Sequence, residues 1–382
     1  MGEAISSIPI TYKLTLISLR VFPKVALIYL SYNTPSSEED IGRCFRSLEV
    51  VDYPKDRWRI IIVENPSKHG ASIPFIQRDW MPKAGITLPE MMIIANEKDI
   101  GYAGANVVGW EEAKKYGADY LYLLNQDTAV DSGFLREAVA YAETNPNAAQ
   151  VQSRLMLQQA PDKLNSCGNA LQKFGFGFAR GNGKTLEEAA KITTPLFYAS
   201  GAAVLLRMSA LEKIGLYEPD YYMYHEDTDL SWRARLAGYD IGYAESSAVF
   251  HHYEFSRSIK KFYWMERNRH FTNLVNYRFA TWLLLFPAMF FIELVMWVYA
   301  FKSGWWKEKI RSGLFFFRPA TWAWMVKRKK FVNRFRIKKD REIMEFMTSR
   351  IEDQEVNYWW MKTIAHPLLD CYFAFVKAIV KW

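Results

Sequence analysis

MMIIANEKDIGYAGANVVGWEEAKKYGADYLYLLNQDT, residues 91–128, carries the pattern that decides the fold. A short apolar run (91–95) breaks off at Asn96, a helical pattern follows over roughly 103–116, and a second apolar run, YLYLL (120–124), ends on NQDT. Strand, helix and strand in that order form the unit of a parallel sheet, because parallel strands need a crossover long enough to hold a helix. Two more runs lie upstream, KVALIYL (24–30) and RIIIV (59–63), with a helical pattern at 37–48 between them; another, 131–143, follows the fourth run. Each run is β-rich and bounded by Pro, Asn, Asp or Gly. The alternation predicts an α/β chain with a mostly parallel, doubly wound sheet.

Ligands of such sheets bind at the carboxyl ends of the strands. Those ends read SYN (31–33), ENPS (64–67), NEKDIGYAGAN (96–106) and NQDT (125–128). Singly, each is ordinary turn punctuation. Four in succession, all polar and rich in small residues, suit a nucleotide cleft. Asn96, Gly101, Gly104 and Asn106 give N-x4-G-x2-G-x-N, where glycine allows close backbone approach and a helix start near Ala103 offers free N–H groups. This is neither the GxGxxG fingerprint nor a phosphate loop ending in GKS or GKT, which disfavours a Rossmann dehydrogenase and a P-loop NTPase. Asp127, just past an apolar strand, can bind a divalent cation, which in turn can hold a diphosphate.

Beyond Thr144 the pattern turns irregular. Residues 174–185, FGFGFARGNGKT, are glycine-rich and read as a mobile loop. A strand and short helix follow in 198–217, and a helix is expected to begin near Asp227 in YYMYHEDTDLSWRARLAGY (221–239), with acids in its first turn and Arg233 and Arg235 late. Glu226, Asp227 and Asp229 crowd three carboxylates into four residues. Their mutual repulsion raises at least one pKa, which suits a general base, although acids at a helix start also serve the macrodipole. His251 and His252, beside an aromatic stretch, are nitrogen ligands for manganese or magnesium, or structural histidines.

The 382 residues (44.6 kDa) are enough for two or three units, and 50% are apolar, which excludes global disorder. Cys44, Cys167 and Cys371 are odd in number and widely spaced, so neither a disulfide framework nor a zinc pair is expected and a reducing compartment is. The start lacks a cleavable signal pattern, while Gly2 and Ser6 match the short myristoylation pattern. The formal charge of +8 is concentrated: Lys302 to Arg341 carries fourteen Lys/Arg against Glu308 and Asp340, so that segment is +12 and the rest is −4. FATWLLLFPAMFFIELVMWVYAF (279–301) is long enough to span a bilayer, with Glu293 as its only charge. A single crossing would put the basic segment on the wrong side, and Pro287 and Glu293 sit badly at bilayer depth. An in-plane or re-entrant segment on an anionic membrane surface is therefore expected, with no nucleic-acid partner; the alternative is a buried helix of a soluble subdomain.

Taken together, SYN, VENPS, NEKDIGYAGAN, LLNQDT, SGAAVLLR, MYHEDTDLSWRARLAGY and VFHH, in this order and spacing over roughly 24–256, resemble a family 2 glycosyltransferase of the GT-A fold, most closely the rhamnosyltransferase and galactofuranosyltransferase-like branch. The resemblance implies a GT-A catalytic domain over 23–258; around it the sequence leaves an N-terminal extension (1–22), a linker with an apolar membrane-associated or membrane-spanning segment (259–301) and a basic, aromatic-rich helical region (302–382). It implies that Tyr32 and Asn33 contact base and ribose, and that Glu64 stands where the family commonly carries Asp. It places Asn96, Gly101, Tyr102, Gly104 and Asn106 around the base, ribose and diphosphate. Asn125-Gln126-Asp127 replaces the metal-binding D-x-D, with Asp127 on Mn2+ or Mg2+; His251 matches the distal metal ligand, with His252 next to it. Asp227 matches the catalytic base, with Glu226 beside it. The implied reaction is inverting transfer from a nucleoside-diphosphate sugar, UDP- or dTDP-linked, to a glycan or lipid-linked glycan, at the cytoplasmic face of a membrane. A non-catalytic nucleotide-sugar-binding relative or a membrane scaffold is the alternative.

Overall fold

The computed structural model of the protein describes residues 22–253, 259, 261–351, 363 and 365–382. The myristoylation pattern, and part of the aromatic tail that begins at Asn357, lie outside the described residues. Strands β1 (Val25–Tyr32), β2 (Trp58–Asn65), β3 (Glu90–Ala95) and β4 (Tyr120–Asn125) alternate with helices α1 (Ser37–Leu48), α2 (Ile73–Asp79) and α3 (Gly101–Tyr116). They pair in parallel in the order β3-β2-β1-β4. Chain order thus reverses beside β1, which opens a crevice at the carboxyl ends of β1 and β4.

The second half closes the sheet differently. After β5 (Thr128–Val130) and α4 (Phe134–Thr144) come β6 (Ala148–Leu157), β7 (Ala160–Ser166), β8 (Asn169–Leu171), β9 (Gly177–Ala179) and the short α5 (Leu186–Ala189). Then follow β10 (Ala203–Arg207), α6 (Met208–Ile214), α7 (Glu226–Leu236) and β11 (Asp240–His251). Strand β10 enters antiparallel between β4 and β6, β11 runs parallel to β6, and β5 pairs antiparallel with the end of β11. The sheet is mostly parallel with antiparallel members in its second half, as the GT-A resemblance implies.

Strand alternation fills both faces of the sheet. Ala26, Ile28, Ile61, Val63, Leu121 and Leu123 face one core, with α3 and α7. Val25, Leu27, Tyr29, Ile60 and Ile62 face the other, with α1 and α4. The glycine-rich segment expected to be mobile is instead packed: β9 pairs with β8, and Phe174 and Phe178 are buried. Its alternating Phe and Gly put rings inward where the composition suggested looseness.

Helices α8 (Lys261–Asn276), α9 (Phe279–Lys302), α10 (Trp306–Phe315), α11 (Pro319–Asn333), α12 (Asp340–Met344) and α13 (His366–Ile379) complete the described chain. They share the first core: Phe271, Leu285, Met289, Met325, Val332 and Phe373 pack with the α3 and α7 residues. The apolar helix α9 is not the core helix of a soluble subdomain. Only 17% of its most apolar window is buried, and Phe279, Phe290, Phe291 and Val298 are exposed. Glu293 faces inward, where Arg269 and Lys309 pair with it and with Glu266. Two carboxylates and two cations, nearly all buried, neutralise one another there, since a lone buried charge would be costly.

Candidate active site

The metal-type pair is assembled by strand register. Antiparallel pairing sets His251 opposite Thr128, the residue after Asp127. The His252 N–H donates to the Asp127 carbonyl at 2.9 Å, and His251 Nε2 comes within 3.3 Å of Asp127 Oδ1. The other ring nitrogen of His251, Nδ1, lies 2.9 Å from Asn165 Oδ1. An amide oxygen only accepts, so Nδ1 carries the hydrogen and the Nε2 lone pair faces Asp127. Two ligand atoms about 2.1 Å from a common divalent ion and near a right angle to each other lie about 3 Å apart. The carboxylate, the oriented imidazole and the supporting amide therefore fit one small cation. His252 turns elsewhere, its Nδ1 3.8 Å from Asp40 of α1. Asn165 follows no motif and was invisible in the sequence.

Glu226 and Asp227 open α7, and the turn before them is unusual. Tyr222, Tyr224 and His225 have φ of 63°, 66° and 68°, a left-handed backbone that costs a non-glycine residue about 1–2 kcal/mol each. The Tyr222 carbonyl accepts from the Ala103 N–H at 3.0 Å, and its hydroxyl donates to Asp99 at 2.5 Å. Gly101 has φ +74°, and a Cβ there would lie 2.5 Å from the Tyr222 carbonyl oxygen, so glycine is required by both conformation and space. The turn carrying the paired acids is thus seated on the glycine loop.

Burial pushes Asp227 up to about 6, while its Oδ1 accepts from the Thr228 N–H at 2.7 Å. Burial, then the charge of Asp227, pushes Glu226 well above the usual carboxylate range; its Oε2 has no hydrogen-bond partner among the described residues. Tyr102 follows Gly101 in the glycine loop. Its hydroxyl donates to the Gly201 carbonyl at 2.7 Å, and burial followed by the charges of Glu226, Asp227 and Asp127 raises its pKa well above 10.0. The next residue after Gly201, Ala202, accepts from the Asn125 N–H at 3.0 Å, so the 201–202 backbone is tied both to Tyr102 and to the end of β4. Asp229, by contrast, is structural: it is buried on Arg233 at 2.8 Å, with Asn276 and Arg328 as further partners.

The remaining residues divide. Tyr32 is exposed at the cleft, and Asn33 bonds the His69 carbonyl at 2.9 Å. Gln126, the middle residue of the Asn125-Gln126-Asp127 motif, ties that motif to the end of β1: its amide accepts from Tyr32 N–H at 2.8 Å and donates to the Tyr32 carbonyl at 3.0 Å. Asn125 lies at the end of β4, its N–H on the Ala202 carbonyl. Asn96 bonds Asn65, which bonds the Gly101 carbonyl. Glu64 is buried, with its two carboxylate oxygens accepting from the Ser72 and Ile73 N–H groups at the start of α2. Gly104 and Asn106 are buried inside α3, and the Asn106 amide bonds the Tyr102 carbonyl at 3.0 Å. The helix start expected to offer free N–H groups is partly occupied, since Asp99 and the Tyr222 carbonyl take those of Gly101 and Ala103. Elsewhere, Glu266, His270 and Glu293 are close enough to share an ion, but Lys309 and Arg269 already fill that position.

A family profile described as glycosyl transferase family group 2 matches residues 120–327. The chain belongs to that family. A relative from Mycobacterium tuberculosis, N-acetylglucosaminyl-diphospho-decaprenol L-rhamnosyltransferase, is 40% identical over 58 residues, 15% of this chain and 19% of the relative. The match thus spans about a fifth of that relative's length. A crystal structure of GalNAc-T7 with UDP, GalNAc and Mn2+ superposes with a TM-score of 0.56 at 15% identity, covering 92% of this chain and 58% of that one. At that identity the likeness speaks for the fold alone. Residues 1–349 of Staphylococcus aureus TarS give a TM-score of 0.47 at 14% identity, over 93% and 88% of the two chains.

Proposed function

We propose that the protein is an inverting glycosyltransferase that moves a sugar from a nucleoside-diphosphate donor, UDP- or dTDP-linked, to a hydroxyl of a glycan or lipid-linked glycan. The observation that carries this reading is the Asp127–His251 pair, 3.3 Å apart, in a chain that also seats the turn delivering Glu226 and Asp227 on the glycine loop. Burial and the neighbouring charge favour the protonated form of Glu226, and Asp227, pushed up to about 6, is the group assigned to accept the proton. Asp227 accepts the acceptor proton while the acceptor oxygen bonds to C1 of the sugar, and the C1–oxygen bond to the diphosphate breaks with its electrons on the diphosphate. Asp127 and His251 would hold Mn2+ or Mg2+, which supplies positive charge for the departing diphosphate. Tyr32 and Asn33 present the surface for base and ribose, and the Asn96–Asn65–Gly101 chain and Asn125 shape the diphosphate side. Glu64, Gly104 and Asn106 act from beneath that surface. The mycobacterial relative is named for a lipid-linked acceptor, and we extend that acceptor class here.

The exposed apolar face of α9, next to the basic segment, supports peripheral or re-entrant attachment to an anionic membrane at the cytoplasmic face in preference to a single span. The experiment that tests the reading is a screen of UDP, dTDP and GDP and their sugars for binding and turnover, with and without Mn2+ or Mg2+. Metal-dependent turnover of one donor is expected; nucleotide binding without any turnover, given acceptor extracts, would leave only a binding protein.

A further inference from the structure

The turn before Glu226 is held from outside the sheet. Asn268, buried in α8, points one amide nitrogen at three carbonyls: Tyr221 at 2.9 Å, Met223 at 2.9 Å and Tyr224 at 2.8 Å. Its oxygen accepts from Arg267 Nε at 2.8 Å, and Arg267 Nη2 reaches the Asp220 carbonyl and, at 3.1 Å, that of Tyr221. The Arg267 guanidinium lies 4.4 Å from the centre of the Trp264 ring, which stacks on Tyr222 at 4.5 Å. The carbonyls of the turn therefore diverge: that of Tyr222 binds α3, while those of Tyr221, Met223 and Tyr224 bind α8. Left-handed φ at three non-glycine residues persists only where the surroundings over-determine it. The Asn268 amide supplies part of that constraint, beside the Tyr222 contacts with Ala103 and Asp99 and the Arg267 contacts with Asp220 and Tyr221. The residues on either side of the pair, Glu266 and Arg269, face the other way, into the ionic cluster with Glu293 of α9 and Lys309 of α10.

We propose that Arg267 and Asn268 are positioning residues for the general base, and that through them the geometry of Glu226 and Asp227 depends on the helices that follow the sheet. This rests on the assignment of Asp227 as base. It adds that a helix shared with the apolar α9 locks the turn delivering that base. Asn268 bonds the turn, whereas Asp127 follows β4 and His251 ends β11, so metal binding and proton transfer can be measured apart.

The test uses the full chain, with Asn268→Ala as the first variant and Arg267→Lys as a milder one. Nucleoside-diphosphate affinity with Mn2+ is measured by calorimetry, and kcat is followed across pH. With Asn268→Ala, kcat is expected to fall by about tenfold to a hundredfold, the cost of displacing a reacting group by about 1 Å. Affinity should fall less than kcat, because Asn268 bonds the turn directly and reaches the glycine loop only through it. Loosening the turn also admits water to Asp227, which is faced by Glu226, Tyr102, Tyr198 and Tyr217. The acid limb of kcat should therefore move down from about 6 towards the ordinary 3.8. A structural role alone would lower the active fraction without moving that limb. Unchanged kcat and limb in folded Asn268→Ala, or affinity lost in parallel with kcat, overturns the inference. If Asn268→Ala does not fold, Arg267→Lys decides by the same limb. Asp227→Asn run alongside separates the claims: an inactive Asp227→Asn beside a normal Asn268→Ala sinks only this inference, while an active Asp227→Asn sinks the base assignment.

Discussion

Asp227→Asn should stabilise the protein while disabling it. In the native state burial raises the Asp227 carboxyl from 3.8 to about 6. A shift of roughly two units at 1.36 kcal/mol each makes its ionisation cost the fold up to about 3 kcal/mol. The cost has a definite window. Below pH 4 the group is protonated in both folded and unfolded chains and costs nothing; between about 4 and 6 the unfolded chain ionises first; above 6 the full cost applies. Asparagine keeps the size of the side chain and an oxygen to accept from Thr228, and it carries no charge. Thermal unfolding of wild type and Asp227→Asn should therefore coincide near pH 4 and diverge by several degrees at pH 7.5, with the variant more stable. Transfer should fall by about 10²–10⁴, the usual worth of general-base catalysis, with donor binding kept. A variant less stable than wild type at pH 7.5, or a gap independent of pH, would show that Asp227 is an ionised structural acid, and the argument from burial would fail.

Asp127→Ala should abolish the Mn2+-dependent part of nucleotide binding; calorimetry giving equal affinities with and without the mutation would remove Asp127 from the metal site. His251→Ala should weaken Mn2+ dependence more than His252→Ala, and Asn165→Leu should weaken Mn2+ affinity by about 10–100-fold, the usual cost of losing a ligand's orienting partner. A reversed order of the two histidines in the same titration would shift the ligand by one residue. Phe291→Glu and Val298→Glu, on the exposed face of α9, should release the protein from phosphatidylglycerol vesicles in a flotation assay without affecting nucleotide binding. Flotation equal to wild type would place the membrane contact on another surface.

The first half of the fold was legible because its signals are local. The runs at 24–30, 59–63, 91–95 and 120–124 are apolar, short and separated by helix-length segments, and they became β1 to β4. Residues 174–185 misled because glycine content reports backbone freedom, whereas the phenylalanines between the glycines found a core to enter. Asp127, Asp227 and His251 could be singled out by their place in motifs. Asn165 and Asn268 could not: each acts by one side-chain amide across a long stretch of chain, and an asparagine has no periodicity to betray it. The environment of Glu64 was equally hidden, since nothing in ENPS announces that the carboxylate would accept from two N–H groups at the start of α2. Glu293 read as an anomaly in an apolar stretch, because its partners Arg269 and Lys309 lie on other helices.

That ionic underside of α9 has a geometric consequence. A helix fastened by two cations and two carboxylates is free neither to roll about its axis nor to swing on a tether. The height of the cleft above any surface on which α9 rests is accordingly a property of the fold. If Asp227 is the base and α9 the membrane contact, as proposed, an acceptor hydroxyl on a stem much shorter or longer than that height would not meet Asp227, however well its sugar fits. Stem length would then select acceptors alongside sugar chemistry, with the apolar helix serving as the ruler.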